Sequence, residues 1–234
     1  MTNEFSLRTV GLIGEENAQK LKKSTVAVFG IGGVGSYAAE ALARSGVGHL
    51  YLCDSDCVEE SNINRQLIAT RDTVDTPKTT VAAARFKSIN PDIKITEDIR
   101  LILNDSPLPF EDFDFIIDAV DNVTAKIYLI TEAEKRGIPI ISVMGTGNKI
   151  CPEKLRIDDI YKTSMCPLCR VMRLELKKRG IKKLPVVWSD EEPITRGSNE
   201  TKASGRPAPA SMAFVPGCAG LYAASYAVRR LVTL

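Results

Sequence analysis

The run Val26-Ala27-Val28-Phe29-Gly30-Ile31-Gly32-Gly33-Val34-Gly35 decides the fold of this chain. A short β-branched apolar run ends in glycine, and the alanine-rich segment from Val34 to Ser45 reads as a helix, giving a strand, a tight turn and a helix. Gly30, Gly32 and Gly35 match the G-x-G-x-x-G spacing, in which successive glycines serve the turn, the close approach of backbone to phosphate, and close helix packing. Gly32 and Gly33 are the positions expected to approach phosphates, with the positive end of the helix behind them.

Outward from this turn the same alternation continues. Leu50 to Cys53 is a strand ending on Asp54, and Pro77, suited to a first helical position, opens a helix from Lys78 to Ile89 that Asn90-Pro91 closes. Ile93 to Ile95, Phe113 to Ile117 and Ile138 to Val143 read as strands, with a helix from about Val123 to Lys135 between the last two. Strands alternating with helices predict an α/β fold, a Rossmann-like doubly wound and mostly parallel sheet with right-handed crossovers. Its ligand belongs beyond the carboxyl ends of the strands, where Gly30, Asp54 and Asp118 fall.

After Val143 the pattern changes to a C-terminal mixed extension. It holds a loop at Gly145 to Gly147, an edge strand at Lys154 to Ile157, a basic helix from Cys166 to Arg179, a strand at Leu184 to Trp188 and a closing helix from Gly217 to Leu231. Residues 1–143 are expected to form a nucleotide-binding core and residues 144–234 its extension, within one domain, since 234 residues are too few for two of average size. The segment from about 189 to 210, rich in proline, glycine, serine and charge, is expected to be a mobile loop.

Composition excludes several classes. The hydrophobic fraction of 44% and charged fraction of 26% are those of a soluble globular protein, and a net charge of +2 advertises no global attraction to nucleic acid. The N-terminus lacks a secretory pattern and no apolar run is long enough for a membrane span, so a cytoplasmic protein without membrane contact is expected. Six cysteines then remain thiols.

Asp54 follows the glycine turn at the distance that suits ribose hydroxyls, which would serve NAD as well as ATP. Asn62, Arg65 and Gln66 alter that balance. Hydride transfer has no need of a guanidinium there, whereas adenylyl transfer needs cations on oxygens whose charge rises as the α-phosphate is attacked; Lys78 supplies a second cation. Asp121, at the end of Asp118-Ala119-Val120-Asp121, is a candidate Mg²⁺ ligand or, more blandly, a helix N-cap.

Taken together, Gly30-x-Gly-Gly-x-Gly35, Asp54-x-Asp56, Ser61-Asn62-x-Asn64-Arg65-Gln66, Lys78 and Asp118-x-x-Asp121-Asn122 resemble the ubiquitin-activating-enzyme-like superfamily, whose members adenylate a carboxylate with MgATP. Glu40-Ala41-Leu42-Ala43-Arg44-Ser45-Gly46, Ile89-Asn90-Pro91 and Asp159-Ile160-Tyr161-Lys162-Thr163 are more similar to its tRNA threonylcarbamoyladenosine dehydratases than to its sulfur-carrier branch. That resemblance implies ATP-dependent closure of threonylcarbamoyladenosine in tRNA to a cyclic hydantoin through a carboxyl-adenylate, with AMP and pyrophosphate released. It implies that Gly30, Gly32, Gly33, Gly35, Asp54, Asp56, Asn62, Arg65, Gln66, Lys78, Asp121 and Asn122 surround the nucleotide, with Arg65, Lys78 and Asp121 acting in catalysis. It also implies a homodimer, in which Arg8 of one subunit reaches the other's nucleotide, and a sulfur-transfer protein as a further partner. Adenylation of a ubiquitin-like sulfur carrier is the rival reading, and NAD-dependent oxidoreduction a second.

Cys166-Pro167-Leu168-Cys169 has metal spacing, but tetrahedral zinc needs four ligands and no second pair exists, so packed thiols are the favoured reading. The relatives that adenylate sulfur carriers use two such pairs. Cys218, in an apolar setting, is expected to be an inert thiol, and His49, the single histidine, a structural residue. Arg170, Arg173, Lys177, Lys178, Arg179, Lys182 and Lys183 form a basic cluster, either a solvated helix face or a surface for the RNA backbone.

Overall fold

The computed structural model describes residues 4–194 and 209–232. Seven strands among them form one sheet: β1 (Thr25–Phe29), β2 (His49–Cys53), β3 (Lys94–Asp98), β4 (Phe115–Asp118), β5 (Ile140–Val143), β6 (Leu155–Asp159) and β7 (Pro185–Ser189). Their order is β3-β2-β1-β4-β5-β7-β6, parallel throughout except for the final β7 and β6 pair, which runs antiparallel. The order reverses at β1, so the crevice between β1 and β4 is the switch point where such sheets take a ligand.

The helices are α1 (Leu7–Ile13), α2 (Glu15–Lys23), α3 (Gly35–Arg44), α4 (Lys78–Ile89), α5 (Val123–Arg136), α6 (Pro167–Lys178) and α7 (Phe214–Leu231). Alternation along β1 explains the layers. Val26 and Val28 face one side, where Ala38, Ala39 and Leu42 of α3, Phe86 of α4 and the alanines of α7 close over them. Ala27 and Phe29 face the other, against Phe110, Phe113 and Leu129. A sheet buried on both faces needs continuous apolar strands, which is what Val26 to Phe29 and Phe115 to Ile117 supply. A third cluster under α6 joins Met172 and Leu176 to Val186 and Trp188 of β7, so the extension shares the sheet of the core. Truncating Phe29, which is fully buried, to alanine would cost about 3–5 kcal/mol.

Several local expectations change. α1 and α2 were not legible, because only Leu21 of the two is buried and the segment has no strong apolar stripe; Glu15 and Glu16 at the start of α2 and Lys20, Lys22 and Lys23 at its end instead match the helix dipole. Pro77 is the N-cap of α4, one position earlier than expected. The expected mobile loop falls mostly on residues 195–208, outside the described residues; Ser189 itself ends β7. No helix among the described residues is long and apolar enough to cross a membrane.

Candidate active site

The glycine turn is fixed by contacts that only glycine permits. Gly30 has φ +84°, and a Cβ there would lie 2.7 Å from the Ala119 carbonyl oxygen. A Cβ on Gly35 would lie 1.7 Å from the Gly30 carbonyl oxygen, so this glycine lets α3 start directly behind the turn; it does not line the cleft. At Gly32 the nearest atom to such a Cβ is Gln66 Nε2 at 3.8 Å, and the backbone is open to a ligand.

In front of the turn lies a cleft of about 960 Å³ at the carboxyl ends of the strands. Apart from Gly35 and Arg8, every residue expected around the nucleotide lines it: Gly30, Gly32, Gly33, Asp54, Asp56, Asn62, Arg65, Gln66, Lys78, Asp121 and Asn122. Asp54 anchors the turn, accepting the Ile31 N–H at 2.6 Å on one oxygen and the Asp56 N–H at 2.9 Å on the other. Burial raises its carboxyl above the ordinary range, and the nearby Lys78 charge opposes the shift.

The two cations are held differently. The buried Lys78 directs its Nζ 2.8 Å from the Asp56 carboxylate, which is 64% exposed at the cleft surface. Arg65 donates to the Ser61 carbonyl at 2.8 Å and to Asn64 Oδ1 at 2.9 Å, both neutral acceptors, which leaves its positive charge uncompensated by these contacts. Asn62 is buried in the same turn, where its Oδ1 accepts the Glu59 N–H at 3.3 Å. Gln66 is buried beside it, and its Oε1 has no hydrogen-bond partner.

Across the cleft, the loop from β4 to α5 carries Asp121 and Asn122. Asn122, rather than Asp121, caps α5, accepting the N–H groups of Thr124 at 2.8 Å and Ala125 at 3.3 Å. Asp121 is exposed at the rim. Beneath this loop lies a buried network that sequence reasoning missed. Lys126 Nζ donates to Asp118 at 3.1 Å, Ser142 at 3.2 Å and the Val143 carbonyl at 2.8 Å, and Ser142 donates to Asp118 at 2.5 Å. These bonds tie α5 to the ends of β4 and β5 and so position the Ala119 to Asn122 and Val143 to Gly147 walls of the cleft.

Leu101, Ile102, Ala119 and Val120 form an apolar wall suited to a planar base, and Arg100, paired with Asp98, stands beside it. These residues were also missed. Reading β3 through to Asp98, rather than stopping at Ile95, would have placed Arg100 at a strand end.

Other expected residues lie elsewhere. Arg8 is exposed on α1, away from the cleft of its own chain. His49 bridges strands, Nδ1 to Thr25 Oγ1 at 3.2 Å and Nε2 to Thr96 Oγ1 at 2.9 Å, and burial with the nearby Lys94 charge lowers its pKa; it is a structural residue. Cys218 is half-buried against the core. Cys166 and Cys169 are buried together, and the hydrogen bond from the Cys169 thiol holds Cys166 down to about 5 while pushing Cys169 up. Among the described residues no cluster of three or more metal-ligating side chains includes them. In the basic cluster Lys178 and Arg179 pair with Glu175, and Arg173 donates to the Thr163 carbonyl at 2.9 Å, while Arg170, Lys177, Lys182 and Lys183 are exposed.

The ThiF family model matches residues 6–233. The chain is 43% identical over 244 residues to the tRNA threonylcarbamoyladenosine dehydratase of Bacillus subtilis, covering 99% of this chain and 96% of that protein. Two crystal structures of Escherichia coli tRNA N6-threonylcarbamoyladenosine dehydratase, in complex with AMP and with ATP, match with TM-scores of 0.88 and 0.86. Each is 32% identical, with 96% of this chain and 92% of that chain covered. A glycine cradle, two cations and an apolar wall in one strand-end cleft agree with that kinship: the chain belongs to the ThiF family, among its tRNA threonylcarbamoyladenosine dehydratases.

Proposed function

We propose that this protein uses ATP to dehydrate threonylcarbamoyladenosine in tRNA to the cyclic hydantoin. The observation that carries the reading is the joining of Arg65 and Lys78 with the Gly30 to Gly35 turn and Asp54 in one cleft, in a chain so similar to named dehydratases. The base lies on the wall of Leu101, Ile102 and Val120, Asp54 receives ribose hydroxyls, and Gly32 and Gly33 approach the phosphates. The threonyl carboxylate attacks the α-phosphorus, the bond to pyrophosphate breaks, and Arg65 and Lys78 meet the charge that develops on the phosphate oxygens. The carbamoyl nitrogen then attacks the acyl carbon, loses its proton and expels AMP. Because both groups belong to one substrate, ring closure gains the advantage of proximity and needs no protein nucleophile.

Asp121 fits a magnesium role, since its exposed carboxylate stands on the rim of the cleft that holds the phosphate-binding cations. Bound there, the ion would neutralise phosphate charge. The tRNA backbone follows α6 and the turn after it: the first turn of the helix contributes Leu168 to the cleft, Arg170 and Lys177 are exposed along the helix, and Lys182 and Lys183 are exposed beyond its end. A second copy of the chain supplies Arg8, which its own cleft does not use, and residues 1–143 and 144–234 act as core and extension of one cytoplasmic adenylating unit.

The test is AMP release from labelled ATP. Threonylcarbamoyl-modified tRNA should stimulate it and yield the cyclic nucleoside; stimulation by a small sulfur-carrier protein and not by tRNA would replace this reading with the rival one. Arg65→Ala should keep its fold and lose the activity.

A further inference from the structure

The cysteine pair beside the cleft has no part in the chemistry above. Cys166 stands immediately before α6, Pro167 opens the helix, and Cys169 lies in its first turn. Both side chains are buried, and each sulfur is the leading influence on the other's pKa, so the two lie side by side. A C-x-x-C pair at a helix N-terminus places the first sulfur where the helix favours its anion and the second within reach of it. No other cysteines of the chain have this spacing; Cys53, buried in β2 beside Asp98 and Asp54, is a thiol held firmly protonated.

We propose that Cys166 and Cys169 are a redox-active site, a dithiol that a small hydroperoxide closes to an intramolecular disulfide and that an external dithiol reopens. Burial of both sulfurs keeps large disulfides out, and the residues next to them reach the cleft. Gly145 and Leu168 line the cleft, and a Cβ on Gly145 would lie 3.8 Å from Cys166 Sγ. In the first step the Cys166 thiolate attacks one peroxide oxygen, the O–O bond breaks, and the leaving hydroxide takes up a proton to become water, giving a sulfenic acid. The Cys169 sulfur then attacks Cys166, the S–O bond breaks, and the thiol proton and hydroxide leave as water. Two thiols and one hydrogen peroxide thus give one disulfide and two waters; an alkyl hydroperoxide would give an alcohol in place of the first water. This chemistry is independent of the tRNA reading.

The experiment treats the full-length protein with hydrogen peroxide, quenches with an alkylating reagent, and maps each cysteine by peptide mass spectrometry. The peptide carrying Cys166 and Cys169 should lose two hydrogens at least about tenfold faster than Cys53 or Cys218 is oxidised, and dithiothreitol should restore it. Cys169→Ser should stop at a sulfenic acid on Cys166, captured by a dimedone probe. The wild-type measurement stands by itself if that variant does not fold. Both thiols remaining alkylatable while other cysteines oxidise would overturn the proposal. So would stoichiometric zinc that co-purifies with the protein and is lost in Cys166→Ser.

Discussion

Two lysines in this chain occupy equivalent places and live in opposite environments. Lys78 opens α4, which follows β2, and Lys126 lies in the first turn of α5, which follows β4; each pairs with an aspartate at or just beyond the carboxyl end of the preceding strand. Lys126 and Asp118 are both 0% exposed, and the lysine has three acceptors, so the ammonium is used up in holding the scaffold. The Lys78 partner, Asp56, is largely solvated, so the ammonium can turn to an incoming phosphate without stranding a buried charge. The fold thus builds one cation as a rivet and leaves the other available at the cleft, and burial of the carboxylate decides which.

The sealed pair should give the larger response. Lys126→Met leaves Asp118 charged and unpaired in the core, and should lower stability by about 3–5 kcal/mol in urea unfolding. Adding Asp118→Asn should recover part of that deficit. A Lys126→Met protein with an unchanged midpoint would break the distinction. Next in size, Lys78→Ala should change the unfolding free energy by no more than about 1 kcal/mol while slowing AMP formation about 10²- to 10³-fold. Reduced stability with activity per folded molecule intact would make Lys78 a rivet as well.

The difference also explains how much was legible in the sequence. Gly30, Gly32, Gly33, Gly35, Asp54, Asn62, Arg65, Gln66 and Lys78 could be read because their chemistry depends on local spacing after a strand, and the cleft gathers all of them except Gly35. The parallel sheet was readable for the same reason, strand after strand. The Lys126 network was not, because it joins residues of β4, α5 and β5 through bonds that no single window contains. A mixed extension was expected, and the antiparallel β6 and β7 pair is where the mixing falls; which strand reverses depends on where the chain turns after Asp159, and Leu155 to Asp159 carries no mark of it. The apolar wall escaped notice because Leu101 and Ile102 lie in irregular backbone without period.

Between the two lysine pairs lies an intermediate case. Glu40 on α3 is buried, but its partners Arg44, at 2.7 Å, and Arg85, at 2.5 Å, are partly solvated. Burial alone would raise its carboxyl; the hydrogen bonds from Arg85 and Arg44 outweigh it and hold the group below its ordinary value of 4.5. A depressed carboxylate contributes stability above its unfolded pKa and loses it as pH falls through the folded one. Glu40→Gln should therefore cost about 1 kcal/mol at pH 7, with the gap from wild type closing as pH drops below 4.5. A gap that widened in acid would reverse the sign assigned to this group.

The open extreme is α6 and the turn beyond it, where Lys177 and Lys182 face solvent. Charges so exposed contribute little to the fold, and the double variant Lys177→Ala, Lys182→Ala should unfold within about 0.5 kcal/mol of wild type. Their role, if they follow the RNA backbone, is to release counterions, so the variant should bind tRNA more weakly at low salt. Its plot of log affinity against log salt should also flatten, by about 0.7–0.9 for each phosphate that the variant no longer neutralises. Arg65→Ala gives the contrast, since its site lies inside the cleft: it should abolish AMP formation and leave that slope nearly as steep. An unchanged slope in the lysine variant would move the tRNA to another face of the protein while leaving the assignment of the cleft intact.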